Sequence, residues 1–392
     1  MALLLLIQAT ACVVGVRPSL AGKVDLRAFY AAGAIIRSGH GSQLYDYNYQ
    51  AEVQNALVGP RAEPLPFLYP AFAALPFVPL SRLSYRAAFF TMLLINIGLL
   101  AVAASLLHKR LRYFSKSNWL AVLALYGCLF GVSIAFMQGQ ISLALLVVYC
   151  GTWVLLQDKR HFLAGLLMSL GLAKFQIAIP LFLLFCIWRH WRVTAGFITG
   201  ATTLAGISIA IIGKAGAMSY WHSMAGMTKQ TALNASAAKV HYGMFPVDMP
   251  NLHGLTFGLS RGATWGLGLN IILCCGVMIF AARQKPSLLV ALPAAMLVSY
   301  HMQPHDLTLL ILPLSFGLDE LVRRIQRRRA GDRLALRSYD IALLASLALL
   351  VLPLAAVVMA IGMNYLVALV VTVVMVYAAK TTYTAKWNLA LN

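Results

Sequence analysis

Residues 83–107, LSYRAAFFTMLLINIGLLAVAASLL, carry a single charge, Arg86, and otherwise read as one unbroken apolar run. At 1.5 Å per residue such a helix covers the roughly 30 Å of a bilayer's hydrocarbon core. Runs of the same kind recur at 2–20, 119–136, 141–157, 162–173, 177–188, 193–213, 256–282, 287–300, 306–321, 339–361 and 363–379, giving twelve expected spans. The 392-residue chain is 61% hydrophobic and only 11% charged. Soluble domains carry roughly twice that charged fraction. The runs are continuous rather than alternating, which excludes a transmembrane β-barrel. The sequence therefore predicts an all-α polytopic membrane protein folded as one domain over 1–392. The first run resembles a signal-peptide core but has no convincing small-residue cleavage site, so it is expected to be a retained span.

Several runs fall short of the roughly 20 residues that a straight span needs. The pairs 162–173/177–188 and 287–300/306–321 are the shortest, and each has polar residues at its turn. These helices are expected to be broken or tilted around a cavity. Segment 66–80 is apolar but holds Pro66, Pro70, Pro76 and Pro79, which predicts a re-entrant or interfacial segment rather than a crossing one.

The net charge of +20 does not point to nucleic acid, because the cations lie in short clusters between apolar runs. Lys109 to Lys116, Lys159-Arg160, Arg189 to Arg192, Arg283 to Lys285, Arg323 to Arg337 and Lys380 to Lys386 hold most of them. By the positive-inside rule these connections face the cytoplasm, and both termini with them. The remaining connections then share the outer face. They are 17–82, the Gln138-Gly139-Gln140 turn, the Lys174-Phe175-Gln176 turn, the loop 214–250 and the stretch Tyr300 to Asp306. The long loop 214–250 reads as a lid. The six cysteines lie in apolar runs without metal-ligand spacing, and no metal site is expected.

Asp25 is the most informative single residue. The chain has only 11 acidic residues, and this one sits at the lip of the first span in Lys23-Val24-Asp25-Leu26-Arg27-Ala28-Phe29-Tyr30. A carboxylate there is costly to keep. It reads either as a general base towards an acceptor hydroxyl, or as a helix cap or ion pair with Arg27 or Lys23. Asp46 in Tyr45-Asp46-Tyr47 reads as the cap of an interfacial helix running to about 57. Lys174 lies between two short runs, where an unpaired cation is expensive; it suits a lipid-linked phosphate, or snorkels to headgroups. His301, His305 and Asp306 suit phosphate or sugar, with Asp306 also a cap for the next helix.

In their order and spacing these stretches resemble glycosyltransferase family 87, whose members use polyprenyl-phosphate mannose. The likeness runs from Asp25–Tyr30 with Ala31-Ala32-Gly33, through Gly39 to Tyr45-Asp46, to Phe67-Leu68-Tyr69-Pro70 with Pro76 and Pro79-Leu80. It continues with Gln138-Gly139-Gln140, Ala164-Gly165 to Lys174-Phe175-Gln176, Asn251-Leu252-His253-Gly254, and His301 to Asp306-Leu307 with Leu312-Pro313. Two positions depart: relatives commonly have Pro after the Lys at 174 and a second Pro after Pro70.

The resemblance implies a GT-C-type transmembrane helical bundle with outer-face loops and interfacial helices. It also implies inverting transfer of mannose or another sugar from a polyprenyl-phosphate donor to a cell-envelope glycolipid or glycan. The enzyme would sit in the bacterial cytoplasmic membrane with its active site outside. Asp25 would be the base in the first outer loop. Lys174, His301 and His305 would balance the leaving phosphate. Gln138, Gln140, Gln176, Tyr69 and Asn251 would orient sugar and phosphate, with Lys239, His241 and Arg27 as lid contacts. No cofactor, nucleic acid or protein partner is implied. The competing class is a transporter or flippase of lipid-linked sugars.

Overall fold

A computed structural model describes residues 2–61, 64–112, 114–233, 246–329, 338–361, 363 and 366–384. Among these the fold is helical throughout, with a lone bridge between Leu129 and Val351 in place of any strand. Four helical segments are long and apolar enough to cross a bilayer: Tyr85–His108, His161–Ile187, Trp191–Ala225 and Trp265–Ala282. Shorter apolar helices, among them Ser142–Gln157, Leu288–Val298 and Ser338–Leu350, account for much of the rest. Several expected runs prove to be two helices. Run 119–136 divides into Trp119–Gly127 and Phe130–Gln138, and run 339–361 into Ser338–Leu350 and Leu352–Ala360. Run 256–282 breaks at Arg261 and Gly262, both with positive φ. The helix starting at Trp191 does not end at 213. It turns at Gly213 (φ 63°, ψ −174°) and runs on to Leu233, so the first half of the expected lid loop is helical.

The weak pairs of spans are helical hairpins. Helix His161–Met168 passes through a 3-10 turn at Ser169–Lys174 into helix Phe175–Ile187, with Lys174 at φ −121°, ψ 70°. A straight rod of that length would separate its ends by about 40 Å. Instead the rings of His161 and His190 lie 6.2 Å apart, so the segment doubles back at Lys174. The second hairpin runs up helix Leu288–Val298, turns through 299–303 and the 3-10 segment Pro304–Leu310, and returns along Ile311–Arg329. A third is formed by Phe130–Gln138 and Ser142–Gln157, joined at Gly139 and Gln140.

The three tips meet at one end of the bundle. Ser142 Oγ there donates to Asp306 at 2.9 Å. The opposite end of the same helix reaches Asp158, which pairs with Arg110 at 2.7 Å. The backbone N–H of Phe114 donates to Asp319, and Trp188 Nε1 donates to the carbonyl of Ala282. Arg324 donates to Tyr339 and Lys380 lies over the Tyr339 ring. The cationic connections thus share the end of the bundle away from the hairpin tips.

Small residues let the scaffold close. Gly196 and Gly200 are one turn apart, and an added Cβ at Gly196 would stand 2.0 Å from the carbonyl oxygen of Phe162. At Gly165, facing them, a Cβ would stand 1.9 Å from the carbonyl oxygen of Val193. Without a hydrophobic drive between helices in lipid, such close backbone approach is what holds a pair together.

Segment 66–80 makes no crossing helix. Its short turns Ala71–Ala74 and Phe77–Leu80 pack beside helix Leu26–Arg37, with Phe29 stacked on Phe77 at 4.7 Å between ring centroids. Asp46 caps helix Tyr47–Val58, as expected, by accepting from the backbone N–H groups of Asn48 and Tyr49.

Candidate active site

A cavity of about 310 Å³ opens among the three tips, the start of helix Leu26–Arg37 and the irregular stretch 65–69. Of the residues singled out from sequence, Asp25, Tyr69, Gln138, Gln140, Gln176, His301 and His305 all line it. They come from five separate stretches of chain, which only the fold brings together.

Asp25 stands at the N-terminus of helix Leu26–Arg37 but caps nothing, because its side chain bonds no backbone N–H there. Nor does it pair with Arg27. That side chain turns the other way and donates to Gln54, Asn55 and the carbonyl of Gly59. Arg27 is 1% exposed and is not among the lining residues, so the expected lid contact is replaced by a tie between two helices. Among the described residues, the one side chain that holds Asp25 is Gln140, whose Nε2 donates to Oδ2 at 2.5 Å. The carboxylate is half-buried on the cavity wall, and burial pushes its pKa up from the ordinary carboxylate value. It is a stronger proton acceptor for that reason.

Gln140 can reach Asp25 because of Gly139. That residue is left-handed (φ 60°, ψ 38°), and an added Cβ would stand 2.9 Å from Cβ of Leu26. Glycine therefore supplies both the conformation and the clearance. The two glutamines that flank it diverge, Gln140 to Asp25 and Gln138 to His305.

Lys174 does not line the cavity. It is 2% exposed and forms a buried ion pair with Asp306, which is 1% exposed. Asp306 also accepts from Ser142 Oγ and the Gln303 backbone N–H. Lys174 Nζ lies 2.8 Å from His305 Nε2, and His305 Nδ1 lies 2.9 Å from Gln138 Oε1. Burial, with Lys174 alongside, pushes the His305 pKa down to about 3, so the ring is neutral. His301 is pushed down to about 4 by burial and is likewise neutral; its Nδ1 is buried without a partner among the described residues. The cation expected to face a phosphate is thus compensated and acts on the cavity through His305.

Asn251 does not reach the lining. It is fully buried, caps helix Leu252–Ser260 through the Gly254 N–H, and donates to the carbonyl of Ser299. It fixes the corner that presents His301. Lys239 and His241 lie outside the described residues. Phe175, Asp248, Tyr300, Gln303 and Met224 line the cavity without having been singled out as site residues. Phe175 and Tyr300 adjoin residues that were. Among the described residues no group of three or more His, Cys, Asp or Glu side chains is placed to hold a metal ion.

A helical bundle with apolar helices long enough to cross a bilayer thus holds a carboxylate, amides and neutral imidazoles around one cavity, groups suited to a polar ligand. The sequence profile of glycosyltransferase family 87 matches residues 67–313, well over half of the chain, and the protein belongs to that family. It is therefore a glycosyltransferase. No curated protein matches it, and no solved structure does.

Proposed function

We propose that the protein transfers a sugar, mannose or another hexose or pentose, from a polyprenyl-phosphate donor to a hydroxyl of a cell-envelope glycolipid or glycan. The observation that carries this reading is Asp25: a carboxylate with no cap bond and no ion-pair partner among the described residues, held by Gln140 on the wall of the cavity. Asp25 takes the proton of the acceptor hydroxyl as its oxygen attacks the anomeric carbon. The bond from that carbon to the phosphate oxygen breaks on the opposite face, and the polyprenyl phosphate leaves with the electron pair. A single displacement inverts the anomeric configuration. Around the phosphate, Gln138, Gln176, His301 and His305 offer neutral polar groups, and Tyr69 packs beside Gln140. The donor carries its own activation in the sugar–phosphate bond, so no nucleotide site is needed.

Charge supports a choice of membrane side. The cationic connections gather at the end away from the cavity, and the positive-inside rule favours a cytoplasmic location for that end. The first helix has Ser19 beside Tyr85 near the cavity end, and the last has Lys380 at the cationic end. This supports two cytoplasmic termini and a cavity opening to the outer face of a bacterial cytoplasmic membrane. The test is transfer from a synthetic polyprenyl-phosphate sugar to envelope glycolipids by purified protein in vesicles. Movement of donor across the bilayer without transfer would favour a flippase instead.

A further inference from the structure

Lys174, His305 and Gln138 stand in a line from the buried ion pair to the cavity wall, and their bonding capacities leave one arrangement. An ammonium has hydrogens to give and no lone pair to accept with. Lys174 Nζ faces Asp306 and, at 2.8 Å, His305 Nε2. His305 Nε2 must therefore be the acceptor, which puts the hydrogen of the neutral ring on Nδ1. Nδ1–H then donates to the atom 2.9 Å away, Gln138 Oε1. With its carbonyl oxygen turned to His305, Gln138 has its –NH2 hydrogens to offer elsewhere, and it lines the cavity. Asp306 holds the start of this line in place by also taking Ser142 Oγ–H and the Gln303 N–H.

From this geometry we infer that Lys174 is a positioning residue: through His305 it fixes the Gln138 side chain so that an amide –NH2 points into the cavity, where it donates to a phosphate oxygen of the donor. The phosphate part rests on the polyprenyl-phosphate reading of the site; the relay itself does not. The line explains why a lysine is buried beside a carboxylate at a hairpin tip without reaching the cavity. It also gives the two glutamines around Gly139 distinct work, since Gln140 gives its amide hydrogens to Asp25 and Gln138 gives its own to the ligand. The charged and titratable groups around His305 are Lys174, from the neighbouring hairpin tip, Asp306, next to it on its own 3-10 segment, and His301, in the turn just before.

The experiment is nitrogen-15 NMR of histidine-labelled protein in nanodiscs, with the His305 signals assigned by their loss in His305→Gln. The relay requires a neutral His305 with hydrogen on Nδ1 across pH 5 to 8 in the wild type. It requires that preference to disappear in the double variant Lys174→Met/Asp306→Leu, which leaves no unpaired charge. Hydrogen on Nε2, or an imidazolium, in the wild type overturns the proposal. A parallel binding measurement uses undecaprenyl phosphate against undecaprenol. Gln138→Leu is expected to weaken binding of the phosphate about three- to tenfold, as for one lost hydrogen bond, and to leave undecaprenol unchanged. Equal binding of the two probes by the wild type, with Nδ1–H confirmed, would refute the phosphate reading and the contact drawn from it, and would uphold the relay.

Discussion

Gln140 and Asp25, 115 residues apart in the chain, meet through a single hydrogen bond from Nε2 to Oδ2. The amide aims the carboxylate without neutralising it, so Asp25 stays free to take a proton. Gln140→Leu removes the side chain that holds it among the described residues. The expected result is a fall in kcat of about 10- to 100-fold, the range for a hydrogen bond to a charged group. KM for the donor should change little. Single-turnover assays with a synthetic donor would separate the two.

Lys174 and Asp306 test the second pillar of the site. Breaking a buried pair by removing one partner costs about 3–5 kcal/mol because it strands the other charge. Lys174→Met and Asp306→Leu are each expected to lower the Tm in detergent clearly. The double variant should recover most of the loss. Single variants as stable as the wild type would contradict the buried pair.

Asp25 makes a prediction about pH with a definite sign. Burial raises its pKa in the folded state above the unfolded value. The folded protein therefore holds that proton more tightly, and stability falls as pH rises from the unfolded value through the folded one. Asp25→Asn removes the ionisation, so at neutral pH the variant should melt no lower than the wild type, and higher if anything. Activity has the opposite dependence. The base must be ionised, so the acidic limb of the rate profile should lie above the ordinary carboxylate range and vanish with the residue.

The close helix contact is tested at Gly196. An added Cβ would meet the Phe162 carbonyl oxygen at 2.0 Å, and backbone cannot give by that much. Gly196→Val should disrupt the pair and reduce the yield of folded, monodisperse protein. Gly206 on the same helix has nothing within 4 Å of an added Cβ, so Gly206→Ala should be tolerated. Size-exclusion chromatography after extraction would read both.

The class of the fold was open to reading because lipid imposes long apolar runs, and 83–107 reads as a span from composition alone. The hairpins were half legible. Two short runs around Lys174, and two more around His301–Asp306, showed that something turned there, but not that the two turns meet. The pairing of Lys174 with Asp306 joins positions 132 apart. No local pattern encodes it, so an ammonium that looked available for a phosphate is in fact already paired. Arg27 misled for a related reason. Its neighbours in sequence, Asp25 and Phe29, face the cavity, but helical periodicity turns position 27 towards Gln54 and Asn55. Asn251 looked like a ligand group because amides cap helices and bind sugars with the same atoms. Asp25 was legible mainly through scarcity, since few carboxylates are kept in so apolar a chain.

The most direct test of the account is sugar transfer by Asp25→Asn in proteoliposomes supplied with a polyprenyl-phosphate sugar and envelope glycolipid. Asparagine keeps the shape and loses the base, so transfer is expected to fall about 10²- to 10⁴-fold while the protein still folds and melts as the wild type does or higher. Transfer within a few-fold of the wild type in a correctly folded Asp25→Asn protein would contradict the central claim.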